Sequence, residues 1–192
     1  MRIYFKRPVA VIDLETTELD IKIARIVSIG IVILDCDGSV KYKNELRVNP
    51  RVEIPKHTID VHGITNDMIK NSPPFSALAE TIAELLNNCD FAGYNIEKFD
   101  LPILKREFAL AGISNFGKDA NVIDVRTIFI KNLRKDLSSA VLHYLGRPHR
   151  DAHQALSDAS ATAEVLLKQI EAHNLSSDAC ELQAYCRKEE SF

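Results

Sequence analysis

The sequence predicts an α/β fold in which helices flank a mixed five-stranded sheet. Three extended segments, the first two of them apolar, fall within roughly the first 50 residues, and helical and short strand segments alternate after them. No internal repeat, low-complexity tract or long Gly/Ser linker divides the 192 residues. A chain of this length can build one core without disulfides or structural metals, so a single domain is favoured.

The first three strands are predicted from apolar runs and one turn. Val9–Leu14 and Arg25–Leu34 are rich in Val and Ile, which favour strands. The turn Asp35–Gly38 then leads into a third extended segment, Val40–Val48, and this arrangement is typical of a hairpin.

The remaining segments alternate between helical and extended patterns, and turn residues separate them. In chain order they are a helix that follows Ser72–Pro74 and ends near Asn87, a strand over 91–94, a helix over 101–111 closed by Gly112, a strand over Asn121–Val125 and a helix over Ala155–Ala172. Strands first, then helices between short strands, indicate a sheet that contains both parallel and antiparallel pairs.

Composition excludes several classes of protein. Hydrophobic residues make up 46% and charged residues 27% of the chain, values that argue against disorder. The apolar run at residues 9–14 is short and broken by Asp13, so neither a secretion signal nor a membrane span is indicated. The four cysteines form no CxxC pair, which argues against a zinc site and favours a reducing compartment, the cytoplasm.

The formal net charge of −3 bears on possible nucleic-acid partners. A stable, sequence-reading nucleic-acid binder is usually more basic. An enzyme that holds a strand end briefly, with bound cations neutralising part of the charge, has no such need.

Two acidic residues stand two positions apart in the first strand, in the segment DLETT. Alternate residues of a strand point to the same side, so Asp13 and Glu15 should present their carboxylates together. Two like charges about 4 Å apart repel by about 4 kcal/mol at an effective dielectric constant near 20, and a bound cation would offset this repulsion. The alternative is that one carboxylate caps the following turn while the other is exposed.

Two further acids and a histidine are candidates for the same site. Asp100 ends the segment GYNIEKFD at the start of a helix, where negative charge is favoured, although it could serve only as a cap. Asp158, in HQALSDA, should project from the first turns of the last helix. His153 lies five residues earlier and cannot share that helical face, so we expect it on the preceding loop.

Taken together, these residues indicate metal-dependent phosphodiester chemistry. Four carboxylates carry a charge of −4, which two divalent cations would neutralise, and all-oxygen ligands suit Mg²⁺ or Mn²⁺ rather than zinc. A neutral histidine beside such a centre can act as a general base, because its reference pKa lies near 6.5. Two metal ions can stabilise the attacking and leaving oxygens of a phosphodiester at once.

These segments, with IPKHTIDVHGIT at residues 54–65, resemble the DnaQ-like 3′–5′ exonucleases of the DEDDh type. That family includes the proofreading epsilon subunit of bacterial DNA polymerase III. The resemblance covers about residues 5 to 172 and keeps the motifs in the family order. We therefore expect a ribonuclease H-like exonuclease domain over residues 1–175, and a tail over residues 176–192 that can form a short helix.

The resemblance implies a mechanism and a set of roles. Asp13, Glu15, Asp100 and Asp158 would hold two Mg²⁺ or Mn²⁺ ions, and His153 would take a proton from the attacking water. Hydrolysis would release 5′-nucleoside monophosphates from the 3′ end. The residues expected to contact the substrate are Thr16, Thr17, Leu19, His62 and Phe99. His62 could instead give structural support to the site.

Two positions depart from the family pattern. Glu18 stands where the family usually has glycine, which could change how closely the backbone approaches the terminal sugar. Asn95 is one residue further from Phe99 than in the epsilon type. The remaining histidines are expected to be surface or capping residues, namely His57, His143, His149 and His173.

The implied partners are single-stranded 3′ ends, with DNA favoured, and a DNA polymerase; no membrane partner is implied. Two alternatives stay open. The first is an RNA 3′-end trimming exoribonuclease or oligoribonuclease on the same fold, distinguished by how the site reads the ribose 2′-hydroxyl. The second is a catalytically silent module that binds strand ends or a polymerase.

Overall fold

The computed structural model describes residues 3–132, 136–150 and 152–187. Its five strands form one sheet with the spatial order β3-β2-β1-β4-β5. The strands are β1 (Val9–Thr16), β2 (Ile26–Leu34), β3 (Val40–Arg47), β4 (Asp90–Gly93) and β5 (Val122–Asp124). The β1–β2 and β2–β3 pairs are antiparallel, whereas β1–β4 and β4–β5 are parallel. The predicted mixed five-stranded sheet is confirmed.

Eight helices lie within the described ranges. They are α1 (Lys56–His62), α2 (Asn66–Ile69), α3 (Phe75–Leu85), α4 (Asp100–Leu110), α5 (Val125–Asn132), α6 (Leu137–Leu145), α7 (Ala155–Ala172) and α8 (Ala179–Arg187). The helices α3, α4 and α7 match the predicted ones, and α7 has the predicted bounds. No helix of this part of the chain is both long and apolar enough to cross a bilayer.

Both faces of the sheet are covered, and this explains why every residue of β2 is buried. Alternate residues of β1 enter opposite cores. Val9 and Val11 pack with residues of α5 to α8, whereas Ala10 and Ile12 pack with residues of α3 and α4. By the same alternation, Asp13 and Glu15 point to the α7 side.

The strand β1 extends past the end of its parallel partner. Its ladder with β4 ends at Val11, while its ladder with β2 continues to Thr16 with an irregularity between Glu15 and Thr16. The segment that leads from β4 to α4 can therefore lie beside the last residues of β1. This arrangement places the end of β1 and the start of α4 at the same edge of the sheet.

Gly30 lets α7 approach the sheet closely. It lies opposite Asp13 in the β1–β2 ladder, and a Cβ atom at this position would overlap the backbone carbonyl of Ala155. Any other side chain would therefore push away the first turn of α7. Because Asp158 follows one turn later, the missing side chain brings that helix, and its acid, toward Asp13.

The helix α8 lies within the predicted tail segment. Its residues Ala179, Leu182 and Cys186 are buried in the same core as α5, α6 and α7. The Cys186 thiol donates to the backbone carbonyl of Asp124 over 3.5 Å, next to the end of β5. The segment over 179–187 is therefore packed on the sheet.

Candidate active site

Three carboxylates from two distant parts of the chain meet at the end of β1. Asp13, Glu15 and Asp158 each offer an oxygen atom, and these atoms all lie within 4.8 Å of one another. The first two project from the strand, and Asp158 comes from the first turns of α7 above Gly30. The packing of α7 on β1 and β2 brings these acids, which are distant in the sequence, close together.

Asp100 lies beside this group as the first residue of α4. Its side chain is 4% exposed and accepts a hydrogen bond of 3.0 Å from the backbone N–H of Leu14. That bond ties α4 directly to the strand that carries Asp13 and Glu15. Its charge also contributes to raising the pKa of both of those carboxyls. The four predicted acids are thus neighbours.

Burial and mutual repulsion raise the pKa values of the site carboxyls strongly. Burial raises the pKa of Asp13 well above its ordinary value, and Asp100, Asp158 and Glu15 add to the shift. Burial likewise raises the pKa of Glu15 to about 8 and that of Asp100 to about 7. For Glu15, Asp158 and Asp100 raise it further, whereas Arg47 opposes the shift.

This donor set fits divalent cations. All of its ligands are carboxylate oxygens, which Mg²⁺ and Mn²⁺ prefer. Arg47 is the cation that lowers the pKa of Glu15, and it is itself paired with Glu45 over 3.1 Å. One shared arginine leaves most of the negative charge uncompensated, and cations of charge +2 would supply the balance.

His153 lies on the loop before α7, as predicted. Its backbone has a φ of 68°, in the left-handed region, and its N–H donates to a carboxylate oxygen of Asp158 over 3.1 Å. The side chain is exposed and lines the same cavity as the acids. A left-handed non-glycine residue is uncommon and often marks a functional constraint.

His149 is not the surface or capping residue that the sequence suggested. Its side chain is 3% exposed, and its Nε2 contacts the second carboxylate oxygen of Asp158. The expectation was wrong because His149 is buried and contacts Asp158 of α7, a tertiary contact that the sequence does not reveal. Both oxygens of Asp158 are therefore oriented by the segment that precedes α7. By contrast, the side chain of His57 is 66% exposed.

The acids open into a cavity of about 410 Å³. The predicted substrate residues Thr16, Leu19, His62 and Phe99 line it. Thr17 lies outside this lining, because it is buried and its hydroxyl accepts a 3.0 Å hydrogen bond from the backbone N–H of Arg25. Sequence reasoning missed other lining residues, namely His57, Thr58, Val61, Tyr94 and Asn95.

His62 is a neutral ring with a defined tautomer. Its Nδ1 accepts a 3.0 Å hydrogen bond from the backbone N–H of Ile64, so Nε2 carries the proton. Burial lowers the pKa of the ring, which disfavours a second proton. The same residue therefore closes the turn after α1 and contributes to the cavity wall. Its position is compatible with both roles considered from the sequence, which are substrate contact and structural support of the site.

Asp124 is a further buried acid that sequence reasoning missed. It ends β5 and accepts hydrogen bonds from the backbone N–H groups of Thr127, over 3.1 Å, and Asn95, over 3.2 Å. Asn95 adopts the left-handed conformation with a φ of 71°. Asp124 thus caps α5 and holds the loop that leads to Asp100. The sequence signal that could have identified Asp124 is an acid at the end of a strand, three residues before the N–H group that it caps.

Comparison with known proteins gives one family. Residues 10–166 match the family model RNase_T, described as Exonuclease. The "3'-5' exonuclease DinG" of Bacillus subtilis (strain 168) is 31% identical over 170 residues, which are 86% of this chain and 18% of that protein. The "DNA polymerase III PolC-type" of Clostridium perfringens (strain 13 / Type A) is 28% identical over 156 residues, 81% of this chain and 11% of that protein. The chain thus spans less than a fifth of these relatives.

Solved structures share the fold. E. coli exonuclease I in complex with a dA16 oligonucleotide has a TM-score of 0.76 at 18% identity, over 94% of this chain and 43% of that one. Exonuclease X in complex with 5′ overhanging duplex DNA has a TM-score of 0.70 at 20% identity, over 93% and 99%. A 3′-exonuclease described as recognising a histone mRNA stem-loop has a TM-score of 0.69 at 16% identity, over 90% and 84%. The fold is ribonuclease H-like.

Proposed function

The chain belongs to the RNase_T exonuclease family, and we propose that it is a 3′–5′ exonuclease that acts mainly on DNA with two Mg²⁺ or Mn²⁺ ions. The observation that carries this proposal is the meeting of three carboxylates within 4.8 Å of one another, beside Asp100 and His153, in one open cavity. The PolC-type relative, whose name is that of a DNA polymerase, supports DNA as the substrate class.

The acids would bind the cations and orient the scissile bond. Asp13, Glu15 and Asp158 form the compact set, and Asp100 adds a fourth carboxylate from the α4 side. Bound divalent cations supply charge neutralisation at the phosphodiester and promote ionisation of water. Asp158 can hold one orientation in this set because His149 and the His153 backbone fix its two oxygens.

His153 would act as the general base. Its side chain is exposed at the cavity, within the loop whose backbone contacts Asp158, so the imidazole can reach a water molecule next to the acids. Transfer of the water proton to this ring would generate the nucleophile that attacks the terminal phosphorus. A positioned general base of this kind contributes about 10²–10⁴ in rate.

The terminal nucleotide would lie against the remaining cavity wall. Leu19 and Phe99 offer apolar surface for the base or sugar, and Thr16 and His62 offer polar groups. Thr17 would act indirectly, because its hydroxyl holds the turn that carries its neighbours. The product would be a 5′-nucleoside monophosphate and a strand one residue shorter.

The wider setting is part of the proposal. The PolC relative supports association with a DNA polymerase. The four free cysteines support a reducing compartment, for which we propose the cytoplasm. The division into an exonuclease domain over 1–175 and a tail over 176–192 stays a prediction.

The decisive experiment supplies Mg²⁺ or Mn²⁺ together with DNA and RNA oligomers labelled at either end. We expect a 3′ label to be released first as a mononucleotide, a 5′ label to remain on a ladder of shortened products, and DNA to be preferred. Label release from the 5′ end, or internal cuts, would overturn the polarity. Faster cleavage of the RNA oligomers than of the DNA oligomers would show that RNA, and not DNA, is the preferred substrate.

Two variants test the assigned roles. Asp13→Asn keeps the shape of the side chain, removes one ligand charge and should abolish cleavage. His153→Ala should lower single-turnover rates by about 10²–10⁴ at saturating Mn²⁺. His143→Ala, at an exposed histidine on α6, is the matched control and should cleave like the wild type. A His153→Ala enzyme as fast as this control would refute the base assignment.

A further inference from the structure

Arg47 and Glu15 lie in one row across the sheet. In the antiparallel ladders Glu15 is paired with Ser28, and Ser28 is paired with Arg47. Directly opposed residues of an antiparallel ladder point to the same face, so all three side chains lie on the α7 side. The backbones of β1 and β3 are two strand spacings apart, about 10 Å. The small Ser28 side chain between them leaves room for the two long side chains to approach each other.

The two ends of the Arg47 guanidinium have different surroundings. Nη2 lies 3.1 Å from Oε1 of Glu45, and the same oxygen accepts a 2.6 Å hydrogen bond from the Ser28 hydroxyl. Nη1, by contrast, is shielded from solvent and has no hydrogen-bond partner within the described part of the chain. A buried donor that lacks a partner costs free energy. The arrangement therefore calls for an acceptor near Nη1.

The charge of Arg47 acts on two residues of the cavity wall. Burial raises the pKa of Glu15 to about 8, and the Arg47 guanidinium opposes this rise. Burial lowers the pKa of His62, and the same guanidinium lowers it further. His62 is a poor acceptor, because its Nδ1 is bonded to the Ile64 N–H and its Nε2 carries the proton. Glu15 is the neighbour with oxygen atoms suited to accept the free N–H group.

We propose that Arg47 is a positioning residue for Glu15, donating its free Nη1–H group to one carboxylate oxygen and leaving the other oxygen to a divalent cation. The inference rests on the proposed function, in which Glu15 is a cation ligand. A charge-assisted hydrogen bond restricts the orientation of a carboxylate. Residues that orient metal ligands typically change metal affinity by about 10- to 100-fold. The edge strand β3, which supplies none of the four proposed ligands, would thereby take part in the site.

The first test measures Mn²⁺ affinity by calorimetric titration. Arg47→Met keeps an unbranched side chain without donors, and it should weaken binding by about tenfold or more. Arg47→Lys keeps a charged donor and should return the affinity to within about threefold of the wild type. Loss of a positive charge by itself would strengthen cation binding, so weaker binding in Arg47→Met is the signature of positioning. Unchanged or tighter binding in that variant would overturn the inference.

A control on the same strand accounts for the change in charge. Lys43 is exposed, and strand alternation places it on the same face of β3 as Arg47. Lys43→Met therefore makes the same kind of change further from Glu15, and it should bind Mn²⁺ like the wild type. Equal weakening in Lys43→Met and Arg47→Met would assign the effect to β3 in general and reject the specific role of Arg47.

Glu45→Gln separates positioning from support of the edge strand. This variant removes the ion pair with Arg47 but leaves the guanidinium in place. If Arg47 served only to hold β3 through Glu45, both Glu45→Gln and Arg47→Met would lose the same Mn²⁺ affinity. The positioning role predicts that Glu45→Gln keeps at least the wild-type affinity, because the guanidinium is then free to face Glu15. Equal losses in the two variants would contradict the inference.

A double-mutant cycle in EDTA tests the contact without any cation. Arg47→Met and Glu15→Gln are melted singly and combined, and residues in contact should give a combined change in Tm that departs from the sum by at least about 2 °C. Additive changes would overturn the inference whether or not the protein binds cations or cleaves DNA. A wild type that binds no Mn²⁺ would overturn the proposed function instead, and the cycle would then decide the contact between Arg47 and Glu15 by itself.

Discussion

At the scale of single residues, the site carboxyls are under electrostatic strain. Glu15 has a pKa raised from its ordinary value of 4.5 to about 8, because it is buried and lies near Asp158 and Asp100. Burial is also the main reason why the pKa of Asp100 is raised to about 7. Near neutral pH the metal-free protein therefore holds protons on groups that are ionised in an unfolded chain. Cation binding has to release those protons, so it should strengthen with pH.

This shift gives a pH prediction for the metal-free protein. Between pH 4.5 and about 8 the folded state holds the Glu15 proton that the unfolded state has lost. Because the folded state binds more protons there, the free energy of unfolding falls as pH rises through this window. Thermal melts in EDTA should therefore show a lower Tm at pH 8.5 than at pH 6. Glu15→Gln should flatten this dependence, and an equally steep loss in that variant would contradict the assignment.

The contact between His149 and Asp158 predicts a loss of metal affinity on mutation. Removing a partner that orients a metal ligand typically weakens affinity by about 10- to 100-fold. We therefore expect His149→Ala to weaken Mn²⁺ binding by about tenfold in calorimetric titration. His57→Ala, which removes an exposed histidine from the same cavity, is the matched control. Equal Mn²⁺ affinities in the two variants would show that His149 does not orient the ligand.

At the scale of elements, the close packing of α7 on β2 depends on Gly30. Its missing side chain leaves room for the Ala155 carbonyl, and Asp158 follows one turn later. Gly30→Ala should lower stability by about 1–3 kcal/mol, the usual cost of overpacking, and should also weaken Mn²⁺ binding. Chemical denaturation and calorimetric titration measure the two effects.

A second glycine provides the control for this prediction. Gly146 ends α6 with a φ of 67°, and a Cβ there would meet nothing within 4 Å. Gly146→Ala should therefore lose stability through backbone strain while keeping Mn²⁺ affinity. Equal losses of affinity in both glycine variants would mean that general destabilisation, not the position of α7, governs the site.

The elements differ in how clearly the sequence signals them. The long amphipathic pattern of α7 predicted both of its ends, because an 18-residue helix repeats its apolar spacing several times. The helices α1, α2, α5 and α6 have 4 to 9 residues, too few to establish a period. Burial against the sheet, which is a tertiary effect, stabilises such short helices. The extension of β1 to Thr16 was missed because it depends on pairing with β2.

The same distinction separates the predicted from the missed site residues. Asp13 and Glu15 were predicted to project together because strand alternation is a local rule, and they do project together. His149 and Asp124 act through contacts with Asp158 and Asn95, which lie 9 and 29 residues away in the chain. No local pattern identifies such pairs. A single histidine next to arginines is more often exposed, whereas His149 is buried and contacts Asp158 of α7.

At the scale of the whole molecule, the acids should couple cation binding to folding. A ligand that binds only the native state adds about 2.7 kcal/mol of stability at a hundred times its dissociation constant. Millimolar Mn²⁺ should therefore raise the Tm of the wild type by several degrees, roughly as expected for this size. Asp158→Asn should lose most of this increase. A wild-type melting curve that Mn²⁺ does not move would argue against the cation site.

The distance along the chain between Asp13 and Asp158 has a consequence for biosynthesis. Asp13 is synthesised before Asp158, and the docking of α7 on β2 brings the two acids together. A nascent or partly folded chain therefore lacks a complete set of ligands. Under the proposed function, hydrolysis would therefore begin only after α7 has docked on the sheet.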